Sequence, residues 1–200
     1  HLADELEVPI QMHIHETAQE VKDAVAESGK RPLQRLEELG LLTPAFMAVH
    51  ATQLNAVEIQ NLARTGVSVV HCPRSNLKLA SGACPVSELT EAGVNVALGT
   101  NGAASNNRMD LWAEMEMSAL LGKHVAANAE AIPASLALEM ATINGARALG
   151  LADETGSLIP GKAADMICVE LTAPAVRPVL DPLSQLVYCA GREHVTDAWV

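Results

Sequence analysis

Aromatic residues are almost missing from this chain: two Trp, one Tyr and one Phe amount to 2% of it. Single-stranded nucleic acid would find no stacking platform here, and the core has to be aliphatic and rich in alanine. Positive charge is scarce as well, 13 Lys+Arg against 24 Asp+Glu for a net charge of -11, with no basic run. That balance argues against nucleic acid and anionic membrane surfaces as partners. The longest apolar stretches, such as Val94 to Leu98 and Ala163 to Leu171, fall far short of the roughly 20 residues a membrane helix needs. The four cysteines, Cys72, Cys84, Cys168 and Cys189, show no C-x-x-C spacing, so they read as buried or loop thiols in a reducing, cytoplasmic compartment. The sequence opens without an initiator Met or signal peptide, on an amphipathic helical tail at His1 to Glu5. Its last residues, Glu193 to Val200, read as a strand that stops mid-pattern, so both ends are expected to be cut.

Hydrophobic residues make up 49% of the chain and charged ones 18%, a composition that folds around a sizeable core. Short apolar runs at Pro9 to His13, Phe46 to His50, Val67 to His71 and Val94 to Thr100 alternate with segments of helical period. The latter are Ala18 to Ser28, Pro32 to Leu39, Asn55 to Thr65 and Val86 to Ala92, with Gly29, Gly40, Gly66 and Gly93 where helices would stop. Runs so short and so apolar predict strands buried on both faces of a parallel sheet, in β-α-β-α-β-α-β order. Longer helices are expected over Asp110 to Lys123 and Ser135 to Gly150. The turn-rich bridge Gly156 to Asp165 then leads into a strand at Met166 to Leu171, which places a boundary between one unit at 1–155 and a second at 156–200.

The polar residues fall at the ends of these strands. Three runs end in histidine, at His13, His50 and His71, and the fourth ends Leu98-Gly99-Thr100-Asn101. In a (β/α)₈ barrel the C-terminal strand ends converge on one mouth, so four polar ends would face one cavity. Neutral imidazoles beside a carboxylate suit zinc or iron, and Glu16, three residues past His13, is within reach to move a proton. Other readings stand beside these. Glu16 also suits a solvated helix start, and His71, next to Cys72-Pro73, also suits a structural turn. His1, His15, His124 and His194 lack the strand-end placement and read as surface or supporting residues. Arg74, Lys78 and Arg108 read as solvated loop residues, and Glu114 with Glu116 as a solvated helix face.

Three segments together carry a resemblance: His13-Ile14-His15-Glu16-Thr17, Val70-His71-Cys72-Pro73-Arg74-Ser75-Asn76-Leu77-Lys78-Leu79, and Leu98 to Asn107 with its Gly-Ala-Ala-Ser-Asn-Asn. They resemble the amidohydrolase superfamily, and within it the 5-methylthioadenosine/S-adenosylhomocysteine deaminases and the related cytosine, guanine and chlorotriazine hydrolases. Gly156 to Asp165 is similar to the point where such chains return to a small β-sandwich. The resemblance implies an α/β fold: strands 5 to 8, the C-terminal half, of a metal-dependent (β/α)₈ TIM barrel, followed by a truncated part of the β-sandwich. It implies His13 as a metal ligand and Glu16 as the acid/base that protonates the purine ring. His50 would hydrogen-bond the attacking water, and Asn101 stands where the family has a metal-binding aspartate. Glu16, His50 and His71 are the implied substrate contacts, and zinc, with iron(II) as the alternative, is the implied cofactor. The implied reaction is hydrolytic loss of ammonia from the adenine ring of a purine nucleoside.

Two departures accompany the resemblance. The His-x-His pair of the family's first strand has no counterpart, so the expected partner is the missing N-terminal barrel half; a homo-oligomer is left open. Asn101 is an amide where the mechanism needs a base: it can offer a carbonyl oxygen to a metal but accepts no proton and brings no charge. A deaminase or hydrolase for another nucleobase or a triazine, and a non-catalytic nucleoside-binding paralogue or fragment, therefore stay open beside the adenosine-type deaminase.

Overall fold

The computed structural model describes residues 2–200. After a short helix α1 (Leu2–Leu6), strand and helix alternate: β1 (Ile10–Ile14), α2 (Ala18–Ser28), α3 (Pro32–Glu38), β2 (Phe46–His50), α4 (Ala56–Thr65), β3 (Ser68–His71), α5 (Pro73–Lys78), α6 (Val86–Glu91) and β4 (Val96–Leu98). Helices α7 (Ala103–Asn106), α8 (Leu111–Ala126), α9 (Ala134–Met140) and α10 (Ile143–Ala148) follow. The chain closes with β5 (Met166–Val169), α11 (Pro182–Tyr188) and β6 (Val195–Trp199). The four long-expected strands form one parallel sheet in the order β1-β2-β3-β4. β5 and β6 make a separate antiparallel pair.

Side-chain parity divides the sheet into two faces, as the period of two along a strand requires. Phe46, Ala48, Val69 and Val96 sit in the main core with Leu33, Leu62, Leu89, Met115 and Met140 from the helices and Ile132 from the loop before α9. The intervening residues Gln11, His13, Met47, Val49, Val70 and Ala97 line a cavity of about 420 Å³ on the other face. Small residues let the layers approach there: a Cβ on Gly99 would meet Val70 Cγ1 at 2.7 Å and Cys72 Sγ at 3.2 Å.

Local signals explain the element ends. Asn55 caps α4 in a reciprocal box with Glu58, and Gly66 ends that helix in the left-handed region at φ 73°. Asp110 accepts from the Trp112 and Ala113 amides to start α8.

Several expectations are corrected. β1 is not buried on both faces: Gln11, Met12 and His13 are exposed, because β1 is an edge of the sheet with β2 on one side only. The single helix expected over Ser135 to Gly150 is two, α9 and α10, since Thr142 leaves helical geometry (φ -130°, ψ -97°) and turns its hydroxyl onto the Leu138 carbonyl. The terminal strand begins at Val195, after a 3₁₀ turn over Arg192–His194. Among the described residues no helix is long and apolar enough to cross a membrane.

Candidate active site

The sheet ends converge. His13, Glu16 and His50 each offer one metal-ligating atom, and those atoms all lie within 4.8 Å of one another. The His13 and His50 rings meet edge to face at a centroid distance of 4.7 Å, and Glu16 Oε1 stands 3.7 Å from His50 Nε2. Asn101 joins from the loop after β4, donating from Nδ2 to His50 Nε2 at 3.3 Å and to Ser75 Oγ at 3.0 Å. It shares the cavity on the sheet face with His13.

Backbone geometry aims these groups. Parity alone would turn His50 toward the helices with Ala48, but its φ of 76°, followed by 48° at Ala51, breaks the alternation at the strand end. Asn101 is left-handed too, at φ 57°. Such conformations persist only where the surroundings hold them. Around Glu16 the hold is visible: Glu20 accepts from the His15 and Glu16 amides at 2.9 and 2.6 Å while Thr17 caps α2. Thr52 Oγ1 donates to the Glu16 carbonyl at 2.7 Å, and Ser81 Oγ to Glu16 Oε1 at 3.4 Å.

His50 is completely buried. Its Nδ1 lies 2.7 Å from Asn76 Oδ1, an acceptor, so Nδ1 is the donor there and Nε2 accepts from Asn101 Nδ2, with Glu16 Oε1 3.7 Å away. Burial pulls its pKa down, opposed by the Asn76 bond and the Glu16 charge, which favours the neutral ring a metal or a water proton requires.

His71 takes the other side. It shares parity with Val69 on the helix-packed face, is 1% exposed, and has its pKa pulled down to about 3 by burial and by His50. It lies beside His50 and is not among the residues that line the cavity.

Two other residues escaped sequence reasoning. His15 is fully buried, donating from Nδ1 to the Gln53 carbonyl (3.3 Å) and accepting at Nε2 from the Leu33 amide (3.2 Å). It anchors the first turn of α3 to the loop after β2, and the strand-end pattern gave no sign of it because His15 lies beyond β1, left-handed at φ 52°. Glu114 is fully buried, whereas Glu116 two residues on is exposed. Its carboxylate accepts from Asn106 Nδ2 at 2.6 Å and the Arg74 amide at 3.1 Å. The signal available was its place in the first turn of α8, facing the same way as Ser118.

The remaining basic candidates are spoken for or exposed. Lys78 donates to the Ala104 carbonyl at 3.0 Å and to Asn107 Oδ1, Arg74 is partly buried over Glu114, and Arg108 is exposed. His124 is exposed, His194 is partly buried on the 3₁₀ turn, and His1 lies outside the described residues.

Comparison with known proteins gives the same picture at larger scale. The chain is 54% identical over 198 residues to the 5-methylthioadenosine/S-adenosylhomocysteine deaminase of Teredinibacter turnerae, covering 99% of this chain and 45% of that one. It is 43% identical over 194 residues to the 5'-deoxyadenosine deaminase of Methanothermobacter thermautotrophicus, covering 97% of this chain and 45% of the relative. The crystal structure of an adenosine deaminase from Xanthomonas campestris with bound zinc superposes with a TM-score of 0.98 at 54% identity, over 100% of this chain and 45% of that one. This chain thus spans under half the length of the relatives it matches. The profile of the amidohydrolase family matches residues 1–200, and with it the strand-end site has its setting: the chain belongs to the amidohydrolase family.

Proposed function

We propose that this chain is the C-terminal portion of a zinc-dependent deaminase that hydrolyses the adenine ring of 5-methylthioadenosine or S-adenosylhomocysteine, releasing ammonia. In this reading β1 to β4 are the last four strands of a (β/α)₈ barrel spanning 1–155, and 156–200, with the β5–β6 pair, belongs to a small β-sandwich completed by the rest of the protein. The observation that carries the reading is the convergence of His13, Glu16 and His50 at the sheet mouth. The relatives' names supply the substrate class.

The donor set fits the metal. Two imidazoles, one held neutral by burial, and a carboxylate are the ligand types zinc and iron(II) take. His13 would hold the ion, with the Asn101 carbonyl oxygen as a second donor after its amide turns over. A bound zinc would supply a Lewis acid that makes a water nucleophilic at neutral pH.

The chain's own groups account for part of the proton traffic; the transfer from the attacking water to the departing nitrogen needs a base at residue 101. Glu16, partly exposed at the mouth, is placed to protonate the purine N1 as C6 becomes tetrahedral. His50 Nε2, released once the Asn101 amide turns over, would accept a hydrogen bond from the attacking water and orient it. Water adds at C6, the C6–N bond breaks, and ammonia leaves with an inosine-type product. Asn101 can offer and accept hydrogen bonds but cannot take up a proton, so the step a carboxylate would perform there is missing.

That amide favours a second reading, a nucleoside-binding protein that turns over little or nothing. The test is ammonia release from 5-methylthioadenosine by the full-length protein with zinc, carrying residue 101 as Asn or as Asp. We expect Asn101→Asp to raise turnover by about 10²-fold or more, in line with general acid–base contributions. Equal rates from both would refute the role given to Asn101. Tight nucleoside binding without ammonia from the Asn form, against an active Asp form, establishes the second reading. Silence from both rejects the substrate.

A further inference from the structure

The mouth is assembled from loops that follow different strands, so something must fix their relative positions. Glu114 is the one fully buried carboxylate among the described residues, and its two oxygens run to two different loops. Oε2 accepts from the Arg74 amide at 3.1 Å, in the first turn of α5 after β3. Oε1 accepts at 2.6 Å from Asn106 Nδ2, and the same amide group donates to the Thr100 carbonyl at 2.6 Å, in the loop after β4. Each tie ends within two residues of a group that touches His50: Asn76 follows Arg74 and holds Nδ1, and Asn101 follows Thr100 and faces Nε2. Ser75 closes the circuit by accepting from Asn101.

We propose that Glu114 is a positioning residue that locks the loops after β3 and β4 to the rigid helix α8, thereby setting the tautomer and orientation of His50; its bearing on turnover rests on the deaminase reading above. A fully buried carboxylate without a full set of donors is costly, and here burial opposes the charge while each oxygen accepts from a different loop, so the site calls for two acceptor oxygens at one point. Glutamine supplies one acceptor and one donor, and the donor would face either the Arg74 amide or Asn106 Nδ2. Glu114→Gln therefore keeps one tie and breaks the other.

The test uses the full-length protein labelled with ¹⁵N in histidine. In the metal-free parent, His50 is expected to show the ring nitrogen pattern of a neutral Nδ1–H tautomer. In Glu114→Gln it is expected to show exchange between tautomers. In the zinc-loaded protein, with residue 101 as Asn or Asp according to which turns over, kcat is expected to fall about 10²-fold with KM changed little, the scale of a misplaced catalytic group. A lowered melting temperature with the His50 spectrum and kcat of the parent would overturn the proposal, because that is what a purely structural carboxylate gives. If Glu114→Gln does not fold, Asn106→Ala cuts the β4-side tie from its other end, and a parent-like His50 spectrum there overturns it equally. Should no form release ammonia, the deaminase reading fails while the His50 spectrum still decides the role of Glu114.

Discussion

The Arg31–Glu58 pair offers a measurement of how firmly the first half of the mouth is braced. Arg31 meets Glu58 with two parallel bonds, Nε to Oε1 at 2.6 Å and Nη2 to Oε2 at 2.8 Å, and Nη2 also donates to the Gln53 carbonyl at 2.5 Å. The Glu58 side chain is 10% exposed and that of Arg31 31%, so one partner is effectively dry and the other half screened. Replacing Arg31 with Met leaves Glu58 with the Asn55 amide alone among its strong donors and leaves the Gln53 carbonyl with the longer bond from His15 Nδ1 alone. A fully buried pair broken on one side costs roughly 3–5 kcal/mol and an exposed one roughly 0–1. The partial screening here places Arg31→Met at about 3 kcal/mol. Glu58→Gln keeps the capping box, because glutamine serves at that position as well, so the double mutant isolates the pair. Urea titrations of the parent, both single variants and the double should give a coupling of about 2 kcal/mol. A second reading comes from His15, whose pKa burial pulls down with the Arg31 charge adding to the effect while Glu58 opposes it. Losing Arg31 should raise the His15 pKa, seen by NMR titration. A depressed histidine loses stability as pH falls from its unfolded value through its folded one, so the acid loss should also be shallower in Arg31→Met. Coupling below about 0.5 kcal/mol would make this a surface ion pair and refute the bracing argument.

Two other outcomes follow from burial. His71 titrates at about 3 in the fold against 6.5 when unfolded, so the unfolded state binds the proton first and stability drains away as pH falls below 6.5. With chelator present, the parent should lose about 2 kcal/mol more between pH 7 and pH 5 than His71→Gln, a difference read from urea midpoints; identical slopes would contradict the buried neutral ring. The Cys72 thiol is pushed up to about 12 by burial, and that of Cys84 higher still. Both should resist alkylation at pH 8 by roughly 10³-fold relative to an ordinary thiol. Peptide mapping before and after unfolding checks this, and rapid native labelling of either would show that the core opens locally.

The strand ends were legible in the sequence because a short apolar run leaves little freedom: Phe46 to His50 has the same bounds in the fold, and its terminal histidine does meet His13 and Glu16. The helix Ala18–Ser28 was equally plain, with Thr17 and Gly29 at its ends. Illegible features were those set by distant partners. Nothing near Glu114 announces that Asn106 and Arg74 will close over it, so a charged helix residue looked solvated. His71 ends a strand just as His50 does, but only His50 has a left-handed φ and meets His13 and Glu16. The exposure of β1 depends on what lies beside it, which its own residues do not encode.

The left-handed turn at residue 101 has an evolutionary meaning. Asparagine and aspartate are among the few residues that enter that region readily, and their codons differ by a single base. Exchange at this position changes charge while leaving the loop's course intact. On the deaminase reading proposed above, a lineage could therefore switch the base at this position off and on without remaking the scaffold, whereas a histidine lost from position 50 would take a buried ring and its partners with it.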